Sequence, residues 1–392
     1  MTPRAAGVPA LVLTGALLLS ACGSDPEPST PAAGADPSAS AGAVGGSALD
    51  DLRDPAFPEP LLPLEDLLSG GPPPDGIPAI DDPQHEQVAD VDWLEDDEPV
   101  LSLTVGEETR AYPLRVLTWH EIANDVVDGV PVAVTYCPLC NSGVAFERTV
   151  EGEETTFGVS GLLYADNLVM FDRATESLWP QLTGVAAVGV RTGTALRSIP
   201  MGTVGWSQFR EEHPGALVLS RDTGHDRDYG RNPYVGYDDP GSDPLFELPG
   251  EPDDRLPPKF RVVGVGTGAD AVAVERGRLA TAGVVRVDVG DRPVTLWHLP
   301  GQRSALGAAA IDEGAEIGTV AAFVARLDGQ EVAFERDAAG RVVDVVTGST
   351  WNAFGRATDG PLAGRRLRPV VHLDTFWFSW VAFQPETALV QP

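Results

Sequence analysis

Lysine is all but missing from this 392-residue chain: Lys259 is the only one among 27 basic residues, set against 58 acidic ones. The resulting net charge of −31 excludes nucleic acid as a partner and excludes electrostatic docking onto anionic lipid. Cysteine is also scarce, with three residues, so neither a disulfide-rich scaffold nor a zinc ribbon with two cysteine pairs is available. Beyond the N-terminus no apolar run is long enough to span a bilayer. There is no Gly-rich phosphate loop, no nucleophile elbow and no Ser/His/Asp order to support a hydrolase. What the chain has in quantity is 43 glycines and 35 prolines, the composition of many turns and short strands.

The first residues read as an export signal. Arg4 gives a short positive region, Ala5 to Leu19 is mostly apolar, and Leu19-Ser20-Ala21-Cys22 forms a lipobox. Residues 1–21 are therefore expected to be a lipoprotein signal peptide, with Cys22 the lipidated residue. Residues 22–50, rich in Gly, Ala, Ser, Pro and Asp, bury too little to offset their ordering entropy and read as a disordered tether. The expected location is the extracytoplasmic face of a cell membrane, with lipid as the membrane contact.

The remaining two cysteines stand together in Cys137-Pro138-Leu139-Cys140. Residues 113–124 carry Leu114, Leu117 and Ile122 at helical spacing, with Pro113 at a helix-starting position and His120 and Glu121 in the last turn. Val130–Tyr136 and Val144–Val150 alternate as strands, which places the cysteines in the turn between them. Further helices are expected after Thr203 and Asp374, stopping at Pro214 and Pro385. The pattern is α+β and mainly β.

An internal duplication organises the rest. Setting Pro131 against Pro293 without gaps brings Gly106 onto Gly268, Ala111 onto Ala273, Leu117 onto Leu279 and Val132 onto Val294. Val144-Ala-Phe-Glu-Arg148 recurs as Val332-Ala-Phe-Glu-Arg336, and Asp172-x-x-Thr175-x-Ser177-x-Trp179 as Asp344-x-x-Thr347-x-Ser349-x-Trp351. Two related halves follow: a first repeat over 85–220, a connector over 221–261 and a second, degenerate repeat over 262–392. His120, Cys137, Cys140 and Glu176 face Ala282, Leu299, Gln302 and Gly348, so the polar and thiol positions belong to the first repeat alone. The first repeat also carries an extra stretch over 158–167, and the second an insertion near 303–331.

Three readings of the cysteine pair compete. A metal site would hold zinc or copper through Cys137 and Cys140, with His120 as third ligand and Glu121 or Glu176 in support. Tyr164, Asp166, Asn167 and Trp179 would line an adjoining pocket. A thiol–disulfide redox pair is the alternative, although a strand rather than a helix follows the second cysteine. A structural disulfide in a binding or scaffold lipoprotein is the third, and so short a loop would contribute only about 2 kcal/mol. The acidic, aromatic stretch 221–237 reads as structured connector, and Phe376-Trp-Phe-Ser-Trp380 as core with His372 satisfied beside it.

Taken together, several boxes resemble the DUF3179 family, a domain of unknown function found in exported proteins and lipoproteins. They are Ala111-Tyr-Pro-Leu114, Trp119-His-Glu-Ile122, Thr135-Tyr-Cys-Pro-Leu-Cys140, Glu176-Ser-Leu-Trp179, Arg221-Asp-Thr-Gly224 and Phe376-Trp-Phe378. The resemblance spans roughly residue 85 to the C-terminus and implies an exported protein. It carries no activity.

Overall fold

The computed structural model describes residues 46–390; the signal region and Cys22 lie outside them. The chain is mainly β with short helices, as its turn-rich composition requires. Among the described residues, no helix is long and apolar enough to cross a membrane.

The first half opens on strands β1 (Pro99–Val105) and β2 (Glu108–Pro113), helix α1 (Leu114–His120), and strands β3 (Ile122–Val127), β4 (Val130–Cys137) and β5 (Ser142–Glu147). A long hairpin, β6 (Phe157–Tyr164) and β7 (Asn167–Asp172), follows. The half closes on β8 (Met201–Gly205), α2 (Trp206–Glu212) and β9 (Leu217–Leu219). Strands β8, β1, β2 and β9 form one sheet in that order, extended beyond β9 by His85–Gln87, with β9 parallel to β2 and the other pairs antiparallel. A second sheet runs β5-β4-β3, extended by Ser198–Ile199.

The second half uses the same connections. Strands β10 (Arg261–Val265) and β11 (Val272–Glu275) lead into α3 (Arg276–Ala282), then β12 (Val284–Val289), β13 (Arg292–Leu299) and β14 (Thr319–Val324). After β15 (Phe334–Arg336) and β16 (Val342–Asp344) come β17 (His372–Phe376), α4 (Trp377–Phe383) and β18 (Ala388–Val390). The order β17-β10-β11-β18, with β18 parallel to β11, has the same arrangement as the four strands β8-β1-β2-β9 of the first half, without a counterpart of His85–Gln87. In the ladders Val132 stands opposite Glu147 and Val294 opposite Val324.

One expected equivalence fails. Val144-Ala-Phe-Glu-Arg148 lies in and just after β5, whereas Val332-Ala-Phe-Glu-Arg336 leads into β15, a different strand of the motif. The structural counterpart of Phe146 is Phe323: they stand opposite Ala133 and Thr295 in their hairpins. A glycine then packs on each ring, Gly184 on Phe146 and Gly355 on Phe323, where a Cβ would fall 2.3 and 2.5 Å from ring carbons. The first copy is largely buried in β5 while Glu335 and Arg336 of the second are exposed, so the five matching letters stand in unlike places. The insertion also moves. It is the loop 300–318 between β13 and β14, in the place where the first half makes its Cys-Pro-Leu-Cys turn.

The tether ends earlier than expected. Ala48 is buried in a cluster with Val169, Phe171, Leu178, Ala187 and Val188, and Leu67–Ser69 adds a strand to β6. A further core gathers Cys137, Cys140, Phe146, Phe157, Trp179, Trp377 and Trp380 between the halves.

Candidate functional site

Cys137 ends β4, and Pro138, Leu139, Cys140 and Asn141 turn the chain into β5, where Ser142 pairs with Cys137. Asn141 closes the turn with its N–H on the Pro138 carbonyl and a left-handed φ of 52°, a conformation asparagine tolerates. The turn places the two Sγ atoms 3.1 Å apart, both free thiols and both buried.

The hairpin β6–β7 supplies the polar surroundings of the sulfurs. Ala165 and Asp166 form its two-residue loop, both at positive φ, as the twist of a tight hairpin favours. The loop aims the Asp166 carbonyl at both thiols, 3.3 Å from Cys140 Sγ and 3.7 Å from Cys137 Sγ. Asn167 Nδ2 donates to Cys140 Sγ at 3.2 Å and the Leu168 N–H to Cys137 Sγ at 3.4 Å. Gln181 fixes the amide of Asn167 and also donates to Thr135. The stretch 158–167, longer than its second-half counterpart, therefore exists as a hairpin that reaches the cysteines.

Glu121 is tied to the cysteine strand by its backbone. The helix expected over 113–124 ends at His120, Glu121 is its left-handed cap with φ 60°, and Ile122–Asn124 belong to strand β3 instead. Its N–H bonds the Leu117 carbonyl, and its own carbonyl takes the N–H of Tyr136, next to Cys137. No hydrogen bond reaches its carboxyl group among the described residues, and burial alone pushes its pKa up to about 8. At neutral pH it is mainly a neutral acid. Burial, the hydrogen bond to Cys140 and the charges of Cys140 and Glu121 hold the Cys137 thiol well above its ordinary range.

His120 faces away from this chemistry. Its Nδ1 lies 2.7 Å from the Pro78 carbonyl, which can only accept, so Nδ1 carries the proton. Nε2 then accepts from the Tyr229 hydroxyl at 2.5 Å. Both ring nitrogens are occupied, and burial lowers the pKa to about 4. Glu176 is half-buried in the turn after β7, with left-handed φ 55° and its N–H on the Asp172 carbonyl. Trp179 is buried, its indole donating to Asp172, and Tyr164 packs edge-on against Phe383. Among the described residues no group of three or more His, Cys, Asp and Glu is disposed to hold a metal ion.

The connector contributes what the sequence did not reveal. Tyr234 and Tyr237 pack against the core cluster that contains both cysteines. Asp166 fastens this cover: its carboxylate accepts from the Tyr237 hydroxyl and from the N–H groups of Leu245 and Phe246. The second-half loop 300–318 holds it from outside, through Asn232 N–H to Ala309, Asn232 Nδ2 to Ala308 and Gly236 N–H to Gly307. The one available signal was the density of tyrosines in 229–237, beside the lone Lys259.

These elements lie within the match to the family model described as a protein of unknown function (DUF3179), over residues 74–387, and the chain belongs to that family. No curated protein and no solved structure matches the chain.

Proposed function

We propose that this chain is an extracytoplasmic thiol–disulfide redox protein, tethered by lipid on Cys22, in which Cys137 and Cys140 form the redox pair and Glu121 handles the proton. The observation that carries the reading is two buried thiols whose sulfurs stand 3.1 Å apart; the charge of the buried Glu121 carboxyl is felt at Cys137. Two thiolates on a tetrahedral zinc, each about 2.3 Å from the metal, stand about 3.8 Å apart. The pair is closer than that, its thiols already have protein partners, and the expected third ligand is spent on Pro78 and Tyr229. The zinc or copper reading therefore yields to its alternative.

In the forward direction the acceptor is a disulfide of a partner or small molecule. One thiol loses its proton, its sulfur attacks the acceptor disulfide, and one acceptor thiolate leaves. The second cysteine sulfur then attacks the mixed disulfide, closing the Cys137–Cys140 bond and releasing the second acceptor thiol. Two protons and two electrons pass to the acceptor. In the reverse direction the neutral Glu121 acid protonates the thiolate released at Cys137. The connector shields the pair, so exchange accompanies its displacement.

We read the two halves as products of one duplication, supported by their shared strand order and by the Asp172 and Asp344 turns. Only the first kept the thiols; the second, through loop 300–318, steadies the connector above them.

The test is equilibration of the folded, full-length protein in defined dithiol/disulfide buffers, with free thiols counted by alkylation and mass. Two thiols that interconvert reversibly with one disulfide support the reading. A pair that neither reduces nor oxidises until the protein unfolds would sink it, as would one equivalent of zinc or copper in protein purified without chelator.

A further inference from the structure

A second site lies where the two halves meet. A cavity of about 680 Å³ is lined by Val144, Leu182 and Pro200 of the first half and by Val265, Val370 and Trp380 of the second. Its size and mainly apolar wall are those of a small-molecule site. Its charged residues are Arg292 and Arg368, and among the described residues no aspartate or glutamate lines it. In a chain with 58 acidic residues and a net charge of −31, that is the reverse of the general balance.

Strand geometry turns both arginines towards the cavity, because side chains two residues apart on a strand share a face. Arg292 stands two residues before Val294, which packs in one cluster with Val265 and Val370 of the cavity wall. Residues 368–370 run beside β14: the Val324 N–H bonds the Arg368 carbonyl, the Val370 N–H bonds the Ala322 carbonyl, and Pro369 pairs with Phe323. Arg368 therefore shares its face with Val370. The end of β14 brings the two arginines to one place, since the next N–H, that of Ala325, bonds the Pro293 carbonyl.

Both arginines are exposed, so their donors are open to a ligand. Neither has a carboxylate within ion-pair distance among the described residues, whereas the neighbouring Arg365 and Arg366 pair with Asp328 and Glu212. His372 also lines the cavity but adds no charge: its Nδ1 proton goes to the Val370 carbonyl, and burial lowers its pKa. On the opposite wall Trp380 lies against Gly264, where a Cβ would fall 2.4 Å from ring carbons. Its indole N–H is spent on Thr387, which leaves the cavity apolar ring surface.

We propose that this cavity binds a soluble organic carboxylate with an apolar body. Arg292 and Arg368 hold the carboxylate, and Val265, Val370 and Trp380 receive the body. The planar guanidinium fork matches a carboxylate through paired, charge-assisted hydrogen bonds. The charge of the whole chain opposes an anionic membrane surface, so the occupant comes from solution. The site stands independently of the thiol chemistry.

Calorimetric titration of the folded, full-length protein tests this, with octanoate, 1-octanol and octylammonium in separate arms at constant ionic strength. One saturable octanoate site is expected, with octanol at least about tenfold weaker and octylammonium weaker still. Arg292→Met and Arg368→Met keep an apolar stem and remove the charge, and each should weaken octanoate by at least about tenfold. Circular dichroism shows which variants fold, and either folded variant alone is decisive. Octanol binding as tightly as octanoate would overturn the proposal, because the cavity would then select for apolar surface without regard to charge. So would octanoate that fails to saturate, or that binds a folded variant as it binds the parent.

Discussion

Glu121 and Gly283 occupy the same place in the two halves. Each caps a seven-residue helix in a left-handed conformation, at φ 60° and 80°, and each sends its N–H 2.7 Å to the carbonyl of Leu117 or Leu279. Glycine adopts this conformation freely, while a side chain there costs about 1 kcal/mol. The first half bears that cost and adds the cost of burying a carboxyl group without a partner. Glu121→Gly should therefore raise the stability of the fold by about 1 kcal/mol or more. If Glu121 supplies a proton to Cys137, the same change should slow reduction of the Cys137–Cys140 disulfide by a small dithiol at least about tenfold. Denaturant melts and stopped-flow thiol kinetics measure the two effects. A variant that is less stable and equally fast would deny Glu121 its role.

Adjacent residues should shape the two flanks of the stability–pH curve. Glu121 holds its proton up to about 8 against an ordinary value of 4.5. The native state thus binds more protons than the unfolded chain between these values. Its contribution is full below pH 4.5 and is lost as pH rises towards 8. His120 titrates near 4 instead of 6.5, so its contribution is present above pH 6.5 and is lost as pH falls towards 4. In urea midpoints measured across pH, Glu121→Gln should flatten the alkaline flank between pH 5 and 8. His120→Gln should flatten the acid flank between pH 6.5 and 4. Slopes unchanged from the parent would show that other groups govern both flanks.

Much of the scaffold was legible because it follows local rules. The alternation in Val130–Tyr136 and the helix stops at Pro214 and Pro385 reflect backbone constraints that sequence states directly. The cysteine pair was legible as a turn. The contrast between Glu176 and Gly348 was legible as a difference but misread in kind. Both positions are left-handed, so the glycine answers a backbone need as much as it records a lost carboxylate. The repeated Val-Ala-Phe-Glu-Arg letters misled because the same five residues serve a buried strand in one half and a mostly exposed one in the other. The cover of Tyr234 and Tyr237 was not legible at all. It depends on Asp166, some seventy residues earlier in the chain, and on loop 300–318, some seventy later, and no local pattern encodes such a clamp.

The paired aspartate turns give a test of which half governs the site. Asp172 accepts from the Thr175 N–H and hydroxyl and from the Trp179 indole; Asp344 makes the same bonds with Thr347 and Trp351. Each is buried, so Asp172→Ala or Asp344→Ala leaves buried donors without acceptors and should cost about 2–4 kcal/mol. The consequences should differ. Asp172 ends the hairpin that presents Asp166 and Asn167 to the sulfurs, so Asp172→Ala should also speed alkylation of the thiols under native conditions. Asp344→Ala should leave that rate near the parent's. Equal acceleration in both would mean that thiol exposure follows global stability and not the hairpin.

The connector's hold on the pair can be loosened at Asn232 without touching the site. This residue is almost wholly buried, and it joins the connector to loop 300–318 through its own N–H and Nδ2, while its Oδ1 accepts from the Tyr234 N–H. Asn232→Ala removes both side-chain bonds, a loss of about 1–3 kcal/mol concentrated in one segment. Local opening governs the reactivity of a covered thiol when opening is fast and reversible, and about 1.4 kcal/mol corresponds to a tenfold change in the open population. Alkylation of Cys137 and Cys140 in native buffer should therefore quicken about tenfold, while the global denaturation midpoint moves only modestly. New proteolytic cuts should fall within 229–246. An unchanged alkylation rate would show that the sulfurs are reached by a route that does not involve Tyr234 and Tyr237, and the connector would then be structural cover and not a gate.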